Sequence, residues 1–211
     1  MEKLVEKIIQ NVPGDIFTAD MVLNLLPGTA DSRNGVIKRA IAKGEIIHIK
    51  RGLYALAKKY QRQGINLFVL SQLIQGPSYV SFESALNYHG WIPEAVYAVT
   101  GASVKNAKQF TTPYGVFVYK RIPFPMLFLG VDRIDSPQGS FLMASPWKAL
   151  VDYVYTNKKE WQGIDPVVKS LRIEKESLEN IDHDLLDKLQ EIYKNWRVQN
   201  FIKGIKKDLS Q

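Results

Sequence analysis

Apolar positions near the start of the chain fall into short helical stripes. Leu4, Val5, Ile8, Ile9 and Val12 recur at helical spacing with Glu and Lys opposite, which predicts an amphipathic helix from Glu2 to Val12 closed by Pro13-Gly14. A second helix is expected from Thr18, a suitable N-cap, with Asp20 in its first turn and Phe17 placed to staple onto Val22. Its core face would be Met21, Val22, Leu25 and Leu26, and Pro27-Gly28 ends it. Asp31 or Ser32 would cap a third helix, with Val36, Ile37, Ala40 and Ile41 as its apolar face and Gly44 as the residue that stops it. The runs Ile46 to Lys50 and Leu53 to Leu56, joined by Arg51-Gly52, then predict a β-hairpin. Three short helices followed by a hairpin is the order of a winged helix-turn-helix, expected over residues 1–62.

The polar stretch Ala57 to Gly64 reads as a linker to a second domain, residues 66–211. That domain should open with a helix from Asn66 to Ile74, the strand-like Tyr79-Val80, and a helix from Ser81 to His89 stopped by Gly90. Strands are expected at Ala95–Thr100, Gln109–Thr112, Val116–Arg121, Met126–Val131 and Ser140–Met143, with Pro113-Tyr114-Gly115 turning one hairpin. Ser145-Pro146 pairs an N-cap with a first-turn proline. The last 50 or so residues look helical throughout, with Leu185, Leu189, Ile192 and Trp196 on one face and Phe201, Ile202, Ile205 and Leu209 continuing a similar one. The expected fold class is therefore α+β: an N-terminal winged helix-turn-helix followed by a mixed α+β domain with a helical C-terminus.

Composition narrows the classes. The 211 residues are 45% hydrophobic and 23% charged, ordinary for a chain that buries a core. With no Cys, disulfide frameworks, thiol nucleophiles and thiolate zinc sites are excluded. The first 30 residues lack the apolar core of a signal peptide, and no apolar run approaches the roughly 18 residues of a membrane-spanning helix. A soluble, cytoplasmic protein without membrane contact is expected. The net charge of +7 is unevenly placed: residues 1–30 are net −2, residues 31–62 hold nine Lys/Arg against two acids, and the rest is nearly neutral. A basic window inside a folded unit points to a polyanion.

That window supplies the candidate site. With Val36, Ile37, Ala40 and Ile41 inward, the third helix turns Asn34, Gly35, Lys38, Arg39 and Ala42 outward. Asn can pair bidentately with adenine, Lys38 and Arg39 can reach guanine or phosphate, and small residues permit close approach. Lys50 and Arg51 occupy the hairpin tip, where phosphate or groove contact is expected, and Arg33 lies nearer the core side as a backbone contact. Operator DNA is the expected partner, through Arg33, Asn34, Lys38, Arg39, Lys50 and Arg51. The residues leave oligomeric state open, and a homo-oligomer on DNA is compatible with them.

Enzyme signatures are weak. His48, His89 and His183 form no HxxxH or HExxH pair, the glycines form no phosphate loop, and Asp132 and Asp135 read as a strand end and turn. No catalytic residues, metal ligands or cofactor are expected. The second domain's aromatics, among them Tyr79, Phe82, Tyr88, Trp91, Tyr97, Phe117, Tyr119 and Phe128, suit core or interface positions. Two alternatives stand beside DNA-binding regulation: a winged-helix transcription factor whose second domain senses a small ligand, and a DNA-targeted nuclease, against which the absence of a D…ExK constellation speaks.

Several segments, taken in order, resemble a known family. Ile16-Phe17-Thr18, Lys43-Gly44 with Ile46, Arg51-Gly52-Leu53-Tyr54-Ala55, the run Tyr79 to Gly90 (YVSFESALNYHG) and the run Ala144 to Asp152 (ASPWKALVD) are similar to AbiEi-type antitoxins, over residues 15 to 155. These are the antitoxin and transcriptional regulator halves of bacterial type IV toxin–antitoxin, or abortive infection, systems. The resemblance implies a winged helix that binds operator DNA and represses its own operon, and a C-terminal domain that antagonises a nucleotidyltransferase-like toxin. Family members often carry an acidic residue where Trp147 stands. On physical grounds alone the Ser81–Gly90 and Ser145–Asp152 segments read as scaffold: a cap, a small apolar stripe and a stop.

Overall fold

The computed structural model describes residues 3–209. Glu2, where the first helix is expected to begin, lies outside them. The N-terminal part runs α1 (Lys3–Asn11), β1 (Ile16–Thr18), α2 (Ala19–Leu25), α3 (Ala30–Ala42), β2 (Ile46–Lys50) and β3 (Leu53–Leu56). The sheet has three strands, not the two expected, in the order β1-β3-β2. Ile16, Phe17 and Thr18 pair antiparallel with Ala55, Tyr54 and Leu53. Thr18 ends this strand and caps α2, its hydroxyl accepting from the Met21 N–H. The cap of α3 is Thr29, which accepts from the Ser32 N–H; Asp31 falls inside the first turn, where its charge suits the helix dipole. Gly28 at φ +99° supplies the left-handed turn that sets Thr29 at this position. Leu4, Val5, Ile8, Phe17, Val22, Ile37, Ala40, Ile46 and Leu56 form a core, with Leu25 and Leu26 packed against it, while Met21 is 48% exposed.

Beyond a short 3-10 turn at Lys58–Tyr60 come α4 (Leu67–Ile74), β4 (Ser78–Val80), α5 (Phe82–Tyr88), β5 (Ala98–Ser103), β6 (Lys108–Thr112), β7 (Gly115–Arg121), β8 (Val131–Ser136), β9 (Gly139–Ala144) and α6 (Pro146–Thr156). The strands form one mixed sheet in the order β6-β7-β5-β4-β9-β8, parallel at β4/β9 and β5/β7. Residues 126–130, expected in a strand, instead close a 3-10 turn at Phe124–Met126 and a left-handed bend at Gly130. Gly130 must be small there, because a Cβ would come within 2.9 Å of Leu185 and 3.2 Å of Lys148. Asp132 and Asp135 accordingly lie within β8, paired with Met143 and Ser140. The expected strand at 95–100 begins three residues later, after the fully solvated Tyr97.

The chain ends in α7 (Asp165–Leu171), α8 (Lys175–Glu179), α9 (His183–Ile192) and α10 (Trp196–Leu209). The apolar stripe read through Trp196 is broken: Tyr193 leaves the helical conformation at ψ 78°, and Trp196, 52% exposed, starts a new helix. Leu185, Leu186, Leu189, Val198, Phe201, Ile202 and Ile205 pack into the main core with α5, α6 and the sheet. The fold is mixed α+β with a helical C-terminus. Among the described residues no helix is long and apolar enough to cross a membrane.

The two segments are not joined by a loose tether. Arg62 donates to the carbonyls of Ile9, Val12 and Gly14 and pairs with Asp15 at 3.1 Å, while Asp15 also accepts from the Arg62 and Gln63 N–H groups. A third apolar cluster crosses the seam, uniting Ile49, Leu53 and Ala55 of the hairpin with Leu70 and Ile74 of α4 and Phe117 and Tyr119 of β7.

Candidate nucleic-acid interface

Helix α3 sorts its residues cleanly. Ile37 and Ala40 are buried, Val36 and Ile41 pack beside them, and Asn34, Lys38 and Arg39 stand exposed on the outer face. Among the described residues no carboxylate lies within ion-pairing reach of Lys38 or Arg39. Arg39 leans along its own helix, its Nη1 3.5 Å from where a Gly35 Cβ would sit, an ordinary contact distance. Asp31, Asn34, Gly35 and Lys38 border a hollow of about 340 Å³ between α3 and Tyr54 of β3, so its one cation is matched by one acid. Tyr54 forms its wall, stacked on Phe17 at 6.1 Å and against His48 at 5.4 Å. A helix face with two cations, an amide and a concave flank can accept phosphate oxygens and base edges.

The other three expected residues are placed differently. Arg51 is exposed at the turn, beside Gly52 at φ +77°. The carbonyl of Gly52 accepts from the Ala19 N–H at 2.9 Å, fixing the turn against the start of α2. Lys50, expected at a free tip, is half-buried: its ammonium donates to the Ile74 carbonyl at the end of α4 and lies 6.0 Å from the Phe110 ring. Burial, and then the charges of Lys105 and Lys108, hold its pKa below the usual lysine value. Arg33 is half-buried as well, and its Nε has no hydrogen-bond partner among the described residues. The structure thus groups Asn34, Lys38 and Arg39 on one helix face, sets Arg51 apart at the hairpin turn, where it borders the same cleft as Lys50, and turns Lys50 toward the second segment.

A polar cluster that the sequence does not advertise lies in the second core. Lys148 and Asp152, one helical turn apart on α6, are wholly buried and 2.6 Å apart. Tyr79 and Ser81 donate to the other Asp152 oxygen at 2.7 and 2.9 Å, Tyr193 donates to the first, and Lys148 donates to the Tyr193 hydroxyl at 2.6 Å. Burial lowers the Lys148 pKa against the pull of Asp152, and burial raises Tyr79 and Tyr193, reinforced by the Asp152 charge. With all five side chains buried this is a structural knot. It spends the Ser81 hydroxyl, which makes no cap bond to α5, and Phe82 begins that helix at φ +56°. The available signal was a Lys and an Asp at i,i+4 on a helix otherwise apolar on every side. The three histidines are dispersed and all exposed, His89 with its Nε2 3.0 Å from the Ala144 carbonyl.

No protein-family model matches this chain, and no curated protein matches it significantly.

Proposed function

We propose that the chain is a DNA-binding transcriptional autorepressor whose first 62 residues act as a winged helix-turn-helix. The observation that carries this reading is the exposed Asn34, Lys38 and Arg39 face of α3, in the one window of the chain with a large positive excess. The element order α1-β1-α2-α3-β2-β3 supports it, because α3 follows α2 through a short turn and the β2/β3 hairpin flanks it. In this reading α3 enters the major groove and Arg51 meets phosphate, while Lys50 anchors the wing to the second segment. The resemblance to AbiEi-type antitoxins supports a second role for residues 66–211, antagonism of a nucleotidyltransferase-like toxin in the cytoplasm. That segment is non-catalytic in this account, and its nearly neutral charge gives it little general attraction for DNA.

The test uses the whole chain, since the seam buries Ile49, Leu53 and Ala55 against the second core. The wild type should bind the duplex upstream of its own reading frame and repress a reporter placed behind it. Lys38→Ala with Arg39→Ala should abolish repression, yet still protect cells that co-express the cognate toxin. Repression retained by the double variant would refute the groove assignment, and protection lost with a normally folded variant would refute the division of roles.

A further inference from the structure

Four cations converge where the hairpin meets the second sheet. Lys50 and Arg51 at the β2/β3 turn, Lys105 in the β5/β6 turn and Lys108 in β6 line a cleft of about 740 Å³, and no carboxylate is among its lining residues. Lys108 stands 4.8 Å from the centre of the Phe110 ring and Lys50 6.0 Å from it, so both ammonium groups lie beside one aromatic ring. Gln75, which follows α4, contributes to the lining while only 7% exposed, and its Nε2 has no hydrogen-bond partner among the described residues. Like charges gathered beside a buried donor without an acceptor form an arrangement that an anion completes.

We propose that this cleft binds a small phosphorylated molecule, its phosphate groups neutralised by Lys50, Arg51, Lys105 and Lys108 and accepting from the Gln75 amide. The inference goes beyond operator binding by α3 and does not depend on it. A single carboxylate has too little charge for four cations, whereas a phosphate ester or diphosphate carries two or more negative charges and several acceptor oxygens. Arg51, Lys105 and Lys108 are exposed and Gln75 is buried, so a ligand must enter the cleft to reach all of them. The backbone of a duplex would meet the exposed cations and leave the amide without an acceptor. The lowered pKa of Lys50, produced by burial and by Lys105 and Lys108, fits a site where an anion relieves mutual repulsion.

The probe is inorganic pyrophosphate, titrated calorimetrically into the full-length chain at fixed ionic strength with no DNA present. Saturable binding tighter than about 1 mM is expected. Lys105→Met with Lys108→Met should weaken it about tenfold, since two of the four neutralising charges are removed. Gln75→Leu should weaken it a few-fold. Lys58→Met with Lys59→Met, the same loss of charge at an exposed turn outside the cleft, should leave it unchanged. Absence of saturable binding, or equal weakening by the two double variants, would overturn the proposal. So would a Lys105/Lys108 variant that loses affinity for duplex DNA while the wild type ignores pyrophosphate, because the cations would then serve the DNA backbone. With no DNA in the titration, failure of the α3 reading would not alter its result.

Discussion

Helices α3 and α6 both carry charged side chains within one turn of each other, and they use them in opposite ways. On α3, Lys38 and Arg39 stand in solvent without carboxylate partners among the described residues, and the helix packs its apolar face through Val36, Ile37, Ala40 and Ile41. On α6, Lys148 and Asp152 are wholly buried and tie β4, the start of α5 and the end of α9 to one helix. The α6 pair is part of the fold's framework, so removing one member leaves a charge stranded in the core. The α3 pair contributes almost nothing to the fold, and like charges side by side on a surface are mildly unfavourable. Charge that stability does not need is charge available for a partner.

The contrast can be broken most forcefully at α6. Lys148→Met should cost about 3–5 kcal/mol of unfolding free energy, because Asp152 keeps its burial and loses its cation. Urea unfolding measures this, and a cost below about 1 kcal/mol would mean that the tyrosines and Ser81 suffice to hold the carboxylate. The seam comes next: Ile74→Ala, which hollows the cluster joining the hairpin to α4 and β7, should cost about 2–4 kcal/mol in the same experiment. Equal stability in this variant would mean that the two segments pack independently.

Alkaline pH sharpens the same comparison. Tyr79, Tyr119 and Tyr193 have raised pKa values, chiefly from burial. The unfolded chain releases these protons near about pH 10 while the folded chain keeps them, so this stability is complete below pH 10 and is lost as pH rises above it. The lowered pKa values of Lys50, Lys120 and Lys148 act in the opposite sense and give a shallow gain on the approach to pH 10. Phenolate absorbance should therefore show these three of the ten tyrosines ionising only with unfolding. Early, independent ionisation of all ten would contradict the burial of these three. A smaller change, Thr29→Ala, should cost about 1 kcal/mol by removing the cap of α3, and thermal melting reads it.

Local patterns carried much of this fold. The helices of the first segment, the hairpin turn at Arg51-Gly52 and the Ser145-Pro146 helix start follow from periodicity and turn chemistry, which act over a few residues. What was hidden depends on distant partners. Strand β1 is three residues long and is defined only by pairing with β3; Tyr193 leaves its helix and its hydroxyl bonds to Lys148 and Asp152; and residues 126–130 bend because Gly130 abuts α9. The outer face of α3 was legible because helical geometry alone places Asn34, Lys38 and Arg39. The position of Lys50 was not, since its acceptor at Ile74 is 24 residues away. The cleft with Lys105, Lys108 and Gln75 was hidden for the same reason.

The most direct measurement is the affinity of the full-length protein for the duplex upstream of its own reading frame, followed by fluorescence anisotropy across a salt titration. The account predicts binding that weakens steeply with salt, and a Lys38→Ala/Arg39→Ala variant whose unfolding free energy stays within about 0.5 kcal/mol of wild type. The same variant should lose about two units of the logarithmic salt slope, one for each phosphate contact removed, and Asn34→Ala should narrow the preference for the native duplex over a scrambled one by about 1–3 kcal/mol. A double variant with wild-type affinity and wild-type slope would contradict the assignment of α3 as the DNA-reading helix.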